Sequence, residues 1–590
     1  MFNLAETVAG NLEKVESVLG RTGLSYEIIP VDDGSTDGTA AVLEKWAAGG
    51  ERRRPVVLER NGGKGNALKS GFAASSGSLV LLLDGDLDIL PGYLPGFLKV
   101  MEAEGADIVI GSKRHPKSRV KYPWHRRVAS AVYYSLVRVF IGLPISDTQT
   151  GMKLFRRDVL RDALDRMLVK TYAFDLELLA IAFGRGAKIA EAPVAIRFGD
   201  KFGALSAHTV RQMLIDSLAV FYRLRILNYY AHVEVPPPLG RDPLVSIVIA
   251  CPRKSWMLEE CIAALKRQTY RNFETIVLPD GEDPEACDDG EPLPGLRTIA
   301  TGKVRPAEKR NMGIKAARGE IVAFIDDDAY PDSRWLENAV KYFGEPTIGA
   351  LGGPGVTPPG DGFMARCGGR VYENILVSGN YRYRYLGGRV RKDVDDYPSC
   401  NLFVRREVLE EIGGYRTDFW PGEDTLLCED IVRKAKKRIV YDPWTLVYHH
   451  RRPLFAAHLR QLGRYGFHRG YFVKRFPATS CRLSYFIPTL FTGYLLWLAA
   501  FFAWRGCGGG PIGPVAAVAS APLLFYAAAV AATAFSMNPL RWVVTAAGVL
   551  LSHVCYGVQF ARGICASKAP CEFIGKDHAQ SARRDRRNMV

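Results

Sequence analysis

Short apolar runs alternate with helix-like stretches along much of the chain. In its first part, the apolar residues 26–31 and 107–112 are typical of buried strands. The polar residues 32–37 form a predicted turn and helix cap, and a helix is predicted over 39–47. Alternating strands and helices predict an α/β fold, with a mainly parallel sheet that has helices on its faces.

The same alternation begins again after a proline-rich linker at residues 232–243. Strands are predicted over 244–250 and 273–278, with a helix over 256–268 between them. A chain of 590 residues also exceeds what one hydrophobic core supports. The sequence therefore predicts two α/β units joined by a stiff, extended segment.

Each predicted unit contains an apolar strand that ends in a short acidic cluster. Residues 79–83 lead into D-G-D at 84–86, and residues 321–325 lead into D-D-D at 326–328. Strand ends of this kind present ligands at the carboxyl edge of an α/β sheet. Two carboxylates placed two residues apart suit a hard divalent cation that also holds substrate phosphates. The repeat predicts two nucleotide-dependent catalytic units.

The two units differ at their beginnings. The second has a strand and a helix ahead of its Asp280 turn, whereas the first has a predicted helix at 6–19 but no strand before it. Loss of a central parallel strand would expose much apolar surface. We therefore expect the coding sequence to start upstream of Met1. A first unit that lacks one edge of its nucleotide pocket is the alternative.

Three long apolar runs follow, at about 486–504, 515–535 and 540–560. Each is close to the ~20 residues that a membrane-spanning helix needs. We expect two to three transmembrane helices. The basic tail and the catalytic region both favour the cytoplasmic side, which three full crossings do not allow. The third run contains Arg541, His553 and Gln559, so it is the candidate for a re-entrant or interfacial segment.

The charge and the cysteine content of the chain indicate which binding partners and which cellular compartment to expect. The formal net charge is +16, and basic clusters lie next to apolar segments rather than in a known nucleic-acid-binding motif. Anionic lipids or phosphorylated lipids are therefore the expected partners, and no nucleic acid. The 11 cysteines form no C-x-x-C pairs. They indicate reduced thiols in the cytoplasm rather than disulfides or a zinc site.

The first unit carries a set of short motifs at its predicted strand ends. They are V-D-D-G-S-T-D (31–37), G-K-G-N-A (63–67), D-G-D-L (84–87), G-S-K-R (111–114), D-T-Q-T-G-M-K-L-F (147–155) and F-D-L-E-L-L (174–179). Together they resemble the family 2 glycosyltransferases of the GT-A fold. Within that family they are similar to polyprenyl-phosphate hexose synthases, such as the dolichyl-phosphate mannosyl- and glucosyltransferases. The resemblance implies a Rossmann-like nucleotide-diphospho-sugar transferase domain.

The second unit has its own motifs. They are K-R-N (309–311), D-D-D (326–328), G-E-D (422–424) and Q-L-G-R-Y (461–465). They resemble membrane-anchored family 2 enzymes that add sugars to glycans or glycolipids. Q-L-G-R-Y is similar to the Q-x-x-R-W of processive synthases, with Tyr465 in the place of tryptophan. This departure, and the presence of only three apolar runs, argue against a polymer-extruding channel.

In the first unit, departure of a nucleoside diphosphate builds negative charge that a metal and fixed cations must stabilise. Asp84 and Asp86 are the metal candidates, for Mg²⁺ or Mn²⁺. Asp32 or Asp33 is expected to hydrogen-bond the nucleotide base, and Lys64 to reach the phosphates. The resemblance implies that Asp147 is an active-site carboxylate. The structural alternative for Asp32 and Asp33 is a capped turn.

The acceptor decides whether a general base is needed. A lipid phosphate is already ionised near neutral pH, with a second pKa of about 6. It needs cations to hold it, and the first unit has no G-E-D motif. The candidates for a lipid-phosphate clamp, each with plain surface charge as the alternative, are Lys113, Arg114, Arg126, Arg127 and Arg197.

The second unit has the residues that a hydroxyl acceptor requires. A hydroxyl nucleophile must lose its proton to a positioned base, and Asp424 matches the base of the family; Asp430 is the alternative. Asp326 and Asp328 are the metal candidates. The candidates for nucleotide-sugar binding are Asp280, Arg310 and Asp327. Gln461 and Arg464 are expected to bind the acceptor, on a basic amphipathic segment at 455–476 that lies at the membrane surface.

These observations predict a bifunctional enzyme of the cell membrane with its catalytic domains facing the cytoplasm. The first GT-A domain (1–231) would move a hexose from a nucleotide sugar to polyprenyl phosphate. The second (244–452) would transfer a sugar to a hydroxyl of a glycan or glycolipid by inverting displacement. An interfacial segment (453–485), the membrane helices (486–561) and a basic tail (562–590) follow. A non-catalytic first unit and a processive polysaccharide synthase are the alternatives.

Overall fold

The computed structural model describes residues 1–58, 61–120, 134–135, 137–169, 173–196, 207–232, 236, 239–281, 293, 295–387, 390–506 and 513–567. The chain forms two compact units, Met1–Val235 and Pro236–Val590.

The first unit is built around three small sheets. Its strands are β1 (Val31–Asp32), β2 (Val56–Val57), β3 (Leu79–Leu83), β4 (Ile108–Ser112), β5 (Arg119–Val120), β6 (Met152–Arg156), β7 (Ile189–Pro193) and β8 (Ala195–Ile196). The largest sheet has the order β3-β6-β4-β7, and β1-β2 and β5-β8 form two-stranded sheets. Strand β6 runs antiparallel to both of its neighbours.

Helices cover the sheets of the first unit. They are α1 (Val8–Leu19), α2 (Thr39–Ala47), α3 (Lys64–Ala74), α4 (Leu94–Glu104), α5 (Arg157–Arg166), α6 (Phe174–Gly184), α7 (Ala207–Phe221) and α8 (Tyr229–His232). Two π-helical turns, Val137–Ile141 and Tyr222–Ile226, also occur, and the second continues α7. Short 3₁₀ turns complete both units.

The second unit has one large sheet with the order β11-β10-β9-β12-β17-β14-β18-β16 and a small one with the order β13-β19-β15. The strands are β9 (Val245–Ala250), β10 (Phe273–Leu278), β11 (Leu296–Thr298), β12 (Ile321–Asp326), β13 (Ala329–Pro331), β14 (Ile348–Gly352), β15 (Gly355–Val356), β16 (Lys392–Val394), β17 (Asn401–Arg405), β18 (Arg438–Tyr441) and β19 (Val447–His449).

The helices of the second unit fall into a domain set and a C-terminal set. The first contains α9 (Trp256–Lys266), α10 (Pro306–Ala316), α11 (Trp335–Val340), α12 (Phe363–Glu373), α13 (Ile375–Ser378), α14 (Arg406–Ile412) and α15 (Glu423–Arg433). The second contains α16 (Ala456–Arg475), α17 (Pro477–Ser480), α18 (Leu483–Gly506), α19 (Pro514–Thr533) and α20 (Pro539–Cys565).

The large sheet is apolar on both faces, which explains its near-continuous hydrophobic strands. Ile247 and Ile249 of β9 pack into a core with Leu258 and Trp335 on one face. Val248, the residue between them, packs into a second core on the other face. A sheet buried on both faces cannot show the apolar–polar alternation of a half-exposed one. The α/β class predicted from the sequence is confirmed.

The direction of the strands differs from the expectation. β17 runs antiparallel to both β12 and β14, as β6 does to β3 and β4. The sheets are therefore mixed rather than mainly parallel. A fully buried strand has the same apolar pattern in either direction, so the sequence pattern did not indicate this reversal.

The two units share a strand order, with one difference. β3-β6-β4-β7 has the same succession of antiparallel and parallel pairs as β12-β17-β14-β18. In the second unit β9 lies between β10 and β12. Among the described residues of the first unit, no strand joins β1 to β3, and β3 is half-buried where β12 is almost fully buried.

Met1 lies beside β1 of the first unit. Its amino group donates to the carbonyl of Val31 at 2.6 Å, and the amide of Asp33 donates to the carbonyl of Met1 at 2.9 Å. In the second unit, Cys251 makes the matching bond to Leu278 at 3.2 Å, directly after β9. The backbone pairing therefore makes Asp33 the counterpart of Asp280.

Three C-terminal helices, α18, α19 and α20, are long and apolar enough to cross a membrane. α20 is one uninterrupted helix of 27 residues, and its position as a spanning, re-entrant or interfacial segment stays a prediction. It is also the most buried of the three, because α16 packs along it. Gly470 permits this approach, since a Cβ there would lie 2.1 Å from the carbonyl oxygen of Phe560.

Candidate functional site

The acidic cluster of the second unit meets a histidine from a distant strand. β19 runs antiparallel to β13, with His449 opposite Ala329. This register places the Nε2 atom of His449 3.1 Å from Oδ1 of Asp328. Asp326, Asp328 and His449 each offer a ligand atom, and these atoms lie within 4.8 Å of one another. Two carboxylates and an imidazole in this arrangement are a candidate site for a divalent cation.

The charges of the cluster shift its acid–base behaviour. Burial alone would lower the pKa of His449, but the carboxylate of Asp328 outweighs burial and raises the pKa to about 10. Burial raises the pKa of Asp327 to about 7, with a contribution from the neighbouring Asp328 and Asp326. Several carboxylates thus lie close together at this strand end, and a bound cation would reduce the repulsion between them.

Arg310 connects the acidic cluster to the start of α15. Its guanidinium lies 2.8 Å from Oδ1 of Asp326, 3.2 Å from Oε1 of Glu423 and 3.7 Å from Oδ1 of Asp424. The side chain is buried, and its guanidinium carbon lies 5.5 Å from the ring centroid of Tyr415. The structure therefore places Arg310 among three carboxylates of the protein itself.

Asp424 lies in the first turn of α15, where a helix N-terminus favours a carboxylate. Burial raises the pKa of Asp424, and Arg310 opposes this shift. The hydroxyl of Ser399 donates a hydrogen bond to Oδ1 of Asp424. A carboxylate held from two sides in this way keeps one position, as a general base requires.

Asp430, the alternative base, is engaged in ion pairs with two basic side chains. Its Oδ1 atom lies 2.6 Å from the guanidinium of Arg416, and its Oδ2 atom lies 3.1 Å from Nζ of Lys434. It is buried, and both of its oxygens are engaged in these ion pairs. The geometry favours Asp424 over Asp430 as the base.

Asp280 lies at the end of β10 and is held by a buried lysine. The Nζ atom of Lys309 donates to Oδ1 of Asp280 at 2.5 Å and to the carbonyl of Cys251 at 2.5 Å. Lys309 precedes Arg310 on α10. Two successive residues of the K-R-N motif therefore form ion pairs with Asp280 and Asp326, the two acidic positions of the predicted donor site.

The predicted acceptor residues lie on α16. The guanidinium of Arg464 lies 6.0 Å from the ring centroid of Trp420, four residues before Asp424. The amide of Gln461 donates to the hydroxyl of Tyr465 at 3.1 Å. Gly422, between Trp420 and Asp424, lies against Phe472 of the same helix, since a Cβ there would be 2.7 Å from the ring. α16 therefore borders the start of α15.

In the first unit, β3 ends before the D-G-D cluster, and Lys64 at the start of α3 forms an ion pair with Asp84. Asp86 lies in the following turn, where it accepts from the amide of Asp88 at 3.4 Å. Burial raises the pKa of Asp88, with contributions from Asp86 and Asp84. The described residues of this unit contain no third ligand comparable to His449.

The two acidic residues after β1 have different surroundings. Asp33 accepts from the amides of Gly62 and Gly63 at 2.8 and 3.0 Å, so it closes the loop ahead of α3. Asp32 is fully buried; one oxygen accepts from the amide of Ser35 at 3.2 Å, and Oδ2 has no partner in the structure. The capped-turn alternative describes Asp32, whereas Asp33 bonds to the distant loop at Gly62 and Gly63. The unpartnered carboxylate oxygen of Asp32 agrees with base recognition by that residue.

One of the predicted clamp residues, Lys113, adjoins Asp147. The Nζ atom of Lys113 lies 3.6 Å from Oδ2 of Asp147, and the amide of Lys113 donates to the same carboxylate at 3.3 Å. The guanidinium of Arg114 lies 4.5 Å from the ring centroid of Tyr134. The other clamp candidates, Arg126, Arg127 and Arg197, lie outside the described residues.

A family model described as "Glycosyl transferase family 2" matches residues 6–164 and 246–413, together more than half of the chain. The chain belongs to glycosyl transferase family 2.

Two relatives illustrate this membership of family 2. An uncharacterized protein, y4gI, of Sinorhizobium fredii is 25% identical over 475 residues, which are 74% of this chain and 51% of the relative. The dolichyl-phosphate beta-glucosyltransferase ALG5D of Trichomonas vaginalis is 33% identical over 217 residues, which are 34% of this chain and 64% of that enzyme. The chain therefore spans between about half and two thirds of the length of these relatives.

Among solved structures, the chain is similar to the mannosyltransferase PcManGT of Pyrobaculum calidifontis, solved with GDP-Man and Mn²⁺. The two are 18% identical with a TM-score of 0.30, and the match covers 63% of this chain and 90% of the mannosyltransferase.

Several residues at the sites of this family 2 protein were not found from the sequence. His449 and Ser399 act through contacts between segments that are distant in the chain. Lys309 and Glu423 stand in the K-R-N and G-E-D motifs, but the sequence did not indicate their ion pairs with Asp280 and Arg310. A buried pair in the first unit, Lys153 and Asp175, has its charged atoms 2.7 Å apart.

Proposed function

We propose that this protein is a membrane-bound glycosyltransferase with two catalytic GT-A domains. The match to family 2 in two separate segments supports this proposal. So does the shared strand order of β3-β6-β4-β7 and β12-β17-β14-β18, each beginning at a strand that leads into an acidic cluster. The two domains are proposed to use nucleotide sugars but different acceptors.

The second domain is proposed to transfer a sugar to a hydroxyl group. The observation that carries this proposal is the position of Asp424, which shares Arg310 with Asp326 of the acidic cluster. Asp424 takes the proton of the attacking hydroxyl. The oxygen then bonds to the anomeric carbon from the face opposite the leaving group, and the bond to the nucleoside diphosphate breaks with inversion.

A divalent cation fits the acidic cluster of this domain. Asp326, Asp328 and His449 would hold it, and Mg²⁺ or Mn²⁺ suits carboxylates with one imidazole. Bound there, the cation would supply positive charge for the departing diphosphate. Asp280 and Asp327 are proposed to orient the donor. Arg310 keeps Asp326 and Asp424 at a fixed separation.

The first domain is proposed to transfer a hexose to polyprenyl phosphate. Lys113 and Arg114 directly follow β4, and Lys113 lies beside the proposed active-site carboxylate Asp147. A phosphate acceptor is an anion and needs no deprotonation, so cations at this position suit it. The similarity to a dolichyl-phosphate beta-glucosyltransferase supports this acceptor class. Asp84 and Asp86 are proposed to hold the cation.

One observation favours a second candidate role for the first unit. No described strand joins β1 to β3 in the first unit, whereas β9 joins β10 to β12 in the second. A unit of this kind could bind a nucleotide or a lipid phosphate without transferring a sugar. In that case, only the second domain is catalytic.

A product assay separates these proposals. Membranes that contain the full chain are given radiolabelled nucleotide sugars with polyprenyl phosphate or with a glycolipid. A label in the organic phase that mild acid releases is expected from the first domain, and its loss in Asp84→Asn is the control. Asp424→Asn should reduce transfer to hydroxyl acceptors by about 10²–10⁴-fold and leave the acid-labile product unchanged.

Three outcomes would change the assignment. Unaltered hydroxyl transfer by Asp424→Asn would contradict the general base. Absence of an acid-labile product with every nucleotide sugar would support the non-catalytic first unit. Products longer than one added sugar, made by purified protein in lipid, would support the processive synthase.

A further inference from the structure

The first unit carries an exposed apolar surface that its fold does not use. Most of it lies on α7 and the π-helical turn that continues it. The exposed members of this stripe are Leu214, Ile215, Leu218, Tyr222, Ile226 and Leu227. From Leu214 to Ile226 the stripe extends for about 18 Å at 1.5 Å per residue. The opposite side of the same helix, with Val220 and Arg223, is buried against the unit.

A second segment extends this surface. Val139 and Phe140, in the π-helical turn Val137–Ile141, are 76% and 47% exposed. The rings of Phe140 and Phe221 lie 5.3 Å apart, edge to face, and Arg225 donates to the carbonyl of Ile141 at 2.8 Å. The two segments therefore form one surface. Single exposed apolar residues are common, but a contiguous set of this size marks an interaction site.

The surface leads to the predicted phosphate clamp. Arg138, next to Val139, donates to the hydroxyl of Tyr134 at 3.4 Å. The ring of Tyr134 in turn lies under the guanidinium of Arg114. Arg114, the neighbour of Lys113 in the predicted clamp, is thus connected through Tyr134 and Arg138 to the apolar surface.

We propose that this surface, defined by Val139, Phe140 and the stripe on α7, docks the first unit onto a lipid bilayer. The chain itself supplies the reason for this partner, because three of its helices are apolar and long enough to lie in a membrane. Arg138 and Arg225, both exposed at the surface, would meet anionic headgroups. Apolar side chains with basic neighbours are typical of helices in a membrane interface.

This inference extends the proposed function of the first domain, since it states how a lipid-linked phosphate would reach it. It can nevertheless be tested without any enzymatic activity. The photo-crosslinking residue p-benzoylphenylalanine is placed at Leu218 or at Val139 in the full chain, which is reconstituted in nanodiscs that contain anionic lipids. Leu24, an equally exposed apolar residue of the first unit outside this surface, is the matched control position.

Illumination should give lipid adducts at Leu218 and Val139, at least fivefold above those at Leu24. Adducts no more frequent than at Leu24, or crosslinks from Leu218 to the second unit or to another copy of the chain, would overturn the proposal. These results do not depend on whether the first domain transfers sugar, so the failure of one proposal is distinguishable from the failure of the other.

A second measurement uses activity. The double variant Leu218→Glu/Ile226→Glu should lower transfer to long-chain polyprenyl phosphate in membranes by tenfold or more. Transfer to a short, water-soluble polyprenyl phosphate should not change, because both side chains are exposed and distant in sequence from the clamp. Equal loss with the two acceptors would contradict docking to the bilayer.

Discussion

At the scale of single residues, the second unit is organised by cations that hold carboxylates apart. Lys309 holds Asp280, and Arg310 holds Asp326, Glu423 and Asp424. Buried charges of this kind are costly unless they are paired. Burial raises the pKa of Glu423 to about 7, with a contribution from Asp424, so Arg310 neutralises an excess of acid. These residues keep the predicted donor and acceptor sites in one fixed arrangement.

His449 gives the sharpest test at this scale. Its substitution by alanine should weaken Mn²⁺ binding to the second unit by about tenfold or more, because one of three ligands is lost. The measurement is Mn²⁺ titration followed by electron paramagnetic resonance, in a full chain whose Asp84 and Asp86 are already asparagine. His115→Ala, a histidine of the first unit, is the control. Equal affinity in both variants would exclude His449 from the metal site.

The sequence indicated the acidic residues of the site and Arg310, but not His449. Asp326, Asp328 and Asp424 were found because each stands beside a strand or helix signal within a few residues. His449 lies more than 100 residues from Asp328, and only the register of β13 and β19 joins them. A contact that depends on strand register between distant segments leaves no local pattern.

At the scale of secondary structure elements, α16 ties the catalytic domain to the C-terminal helices. Asp396 forms the centre of this connection. Its Oδ2 atom lies 2.5 Å from the guanidinium of Arg469 on α16, and its Oδ1 atom accepts from the hydroxyl of Thr425, next to Asp424, at 3.1 Å. Burial alone would raise the pKa of Asp396, but Arg469 and Arg384 outweigh it and hold the pKa below its usual range.

Asp396→Asn should therefore destabilise the second unit by about 3–5 kcal/mol at neutral pH, because two buried guanidiniums lose their partner. A depressed folded-state pKa contributes stability that is complete above the unfolded value near 4 and is lost as the pH falls below it. The difference between variant and native protein should thus shrink below about pH 4. Thermal unfolding in detergent at a series of pH values measures this difference in stability.

Asp395→Asn is the matched control for that experiment. Its partner Arg482 is partly exposed, and Asp395 itself is 56% exposed, so the expected loss is under about 1 kcal/mol. An equal loss of stability from the two substitutions would show that the buried ion pairs of Asp396 contribute no more than the exposed pair of Asp395 and Arg482.

The contact between α16 and α20 makes a separate prediction. Gly470→Ala should push the two helices apart and lower the free energy of unfolding by about 1–3 kcal/mol, because the new Cβ meets the backbone of Phe560. Gly493→Ala on α18, where nothing lies within 4 Å of a Cβ, should have little effect. Differential scanning calorimetry in the same detergent compares the two variants, and similar melting temperatures would contradict the close packing.

The existence of most of these elements could be predicted from the sequence. The hydrophobic runs identified β9, β10 and β12, and the long apolar segments identified α18 and α19. The reversal of β6 and β17 could not be found in this way, because strand direction has no signature in a buried apolar run. The packing of α20 on α16 likewise depends on glycines such as Gly470. The sequence shows where the glycines are but not which helix each of them contacts.

At the scale of the whole molecule, the contacts of α20 bear on membrane topology. α18 and α19 are joined near their connection, where Tyr494 donates to the carbonyl of Ala519 at 2.8 Å. α20 instead contacts α18 through Thr489, which donates to Gly557 at 2.9 Å, and α19 through Trp542, which donates to Ala531 at 2.8 Å. These contacts of α20 involve the first turns of α18 and the last turn of α19.

We therefore expect α18 and α19 to cross the bilayer and α20 to lie in the interface beside α16. The carbonyl of Ala566, just after α20, accepts from Nζ of Lys474 at the end of α16 at 2.7 Å. Cys481 and Cys565 are both exposed and would lie on the same face of the membrane. A membrane-impermeant maleimide should label single-cysteine variants of both from the cytoplasmic side.

The control for this labelling is Gly513→Cys, between α18 and α19, which should react only from the opposite side. Three full crossings would instead place Cys565 with that control. Reaction of Cys481 and Cys565 from different sides would therefore exclude the interfacial position of α20.

The close approach of Gly422 to Phe472 has a consequence for regulation. The turn that presents Asp424 rests directly on α16, with no intervening layer. Any movement of α16 in depth or tilt displaces that turn. Bilayer thickness and headgroup packing, which set the depth of an interfacial helix, would then act as physical inputs to the rate of sugar transfer. The membrane would be part of the catalytic frame as well as an anchor.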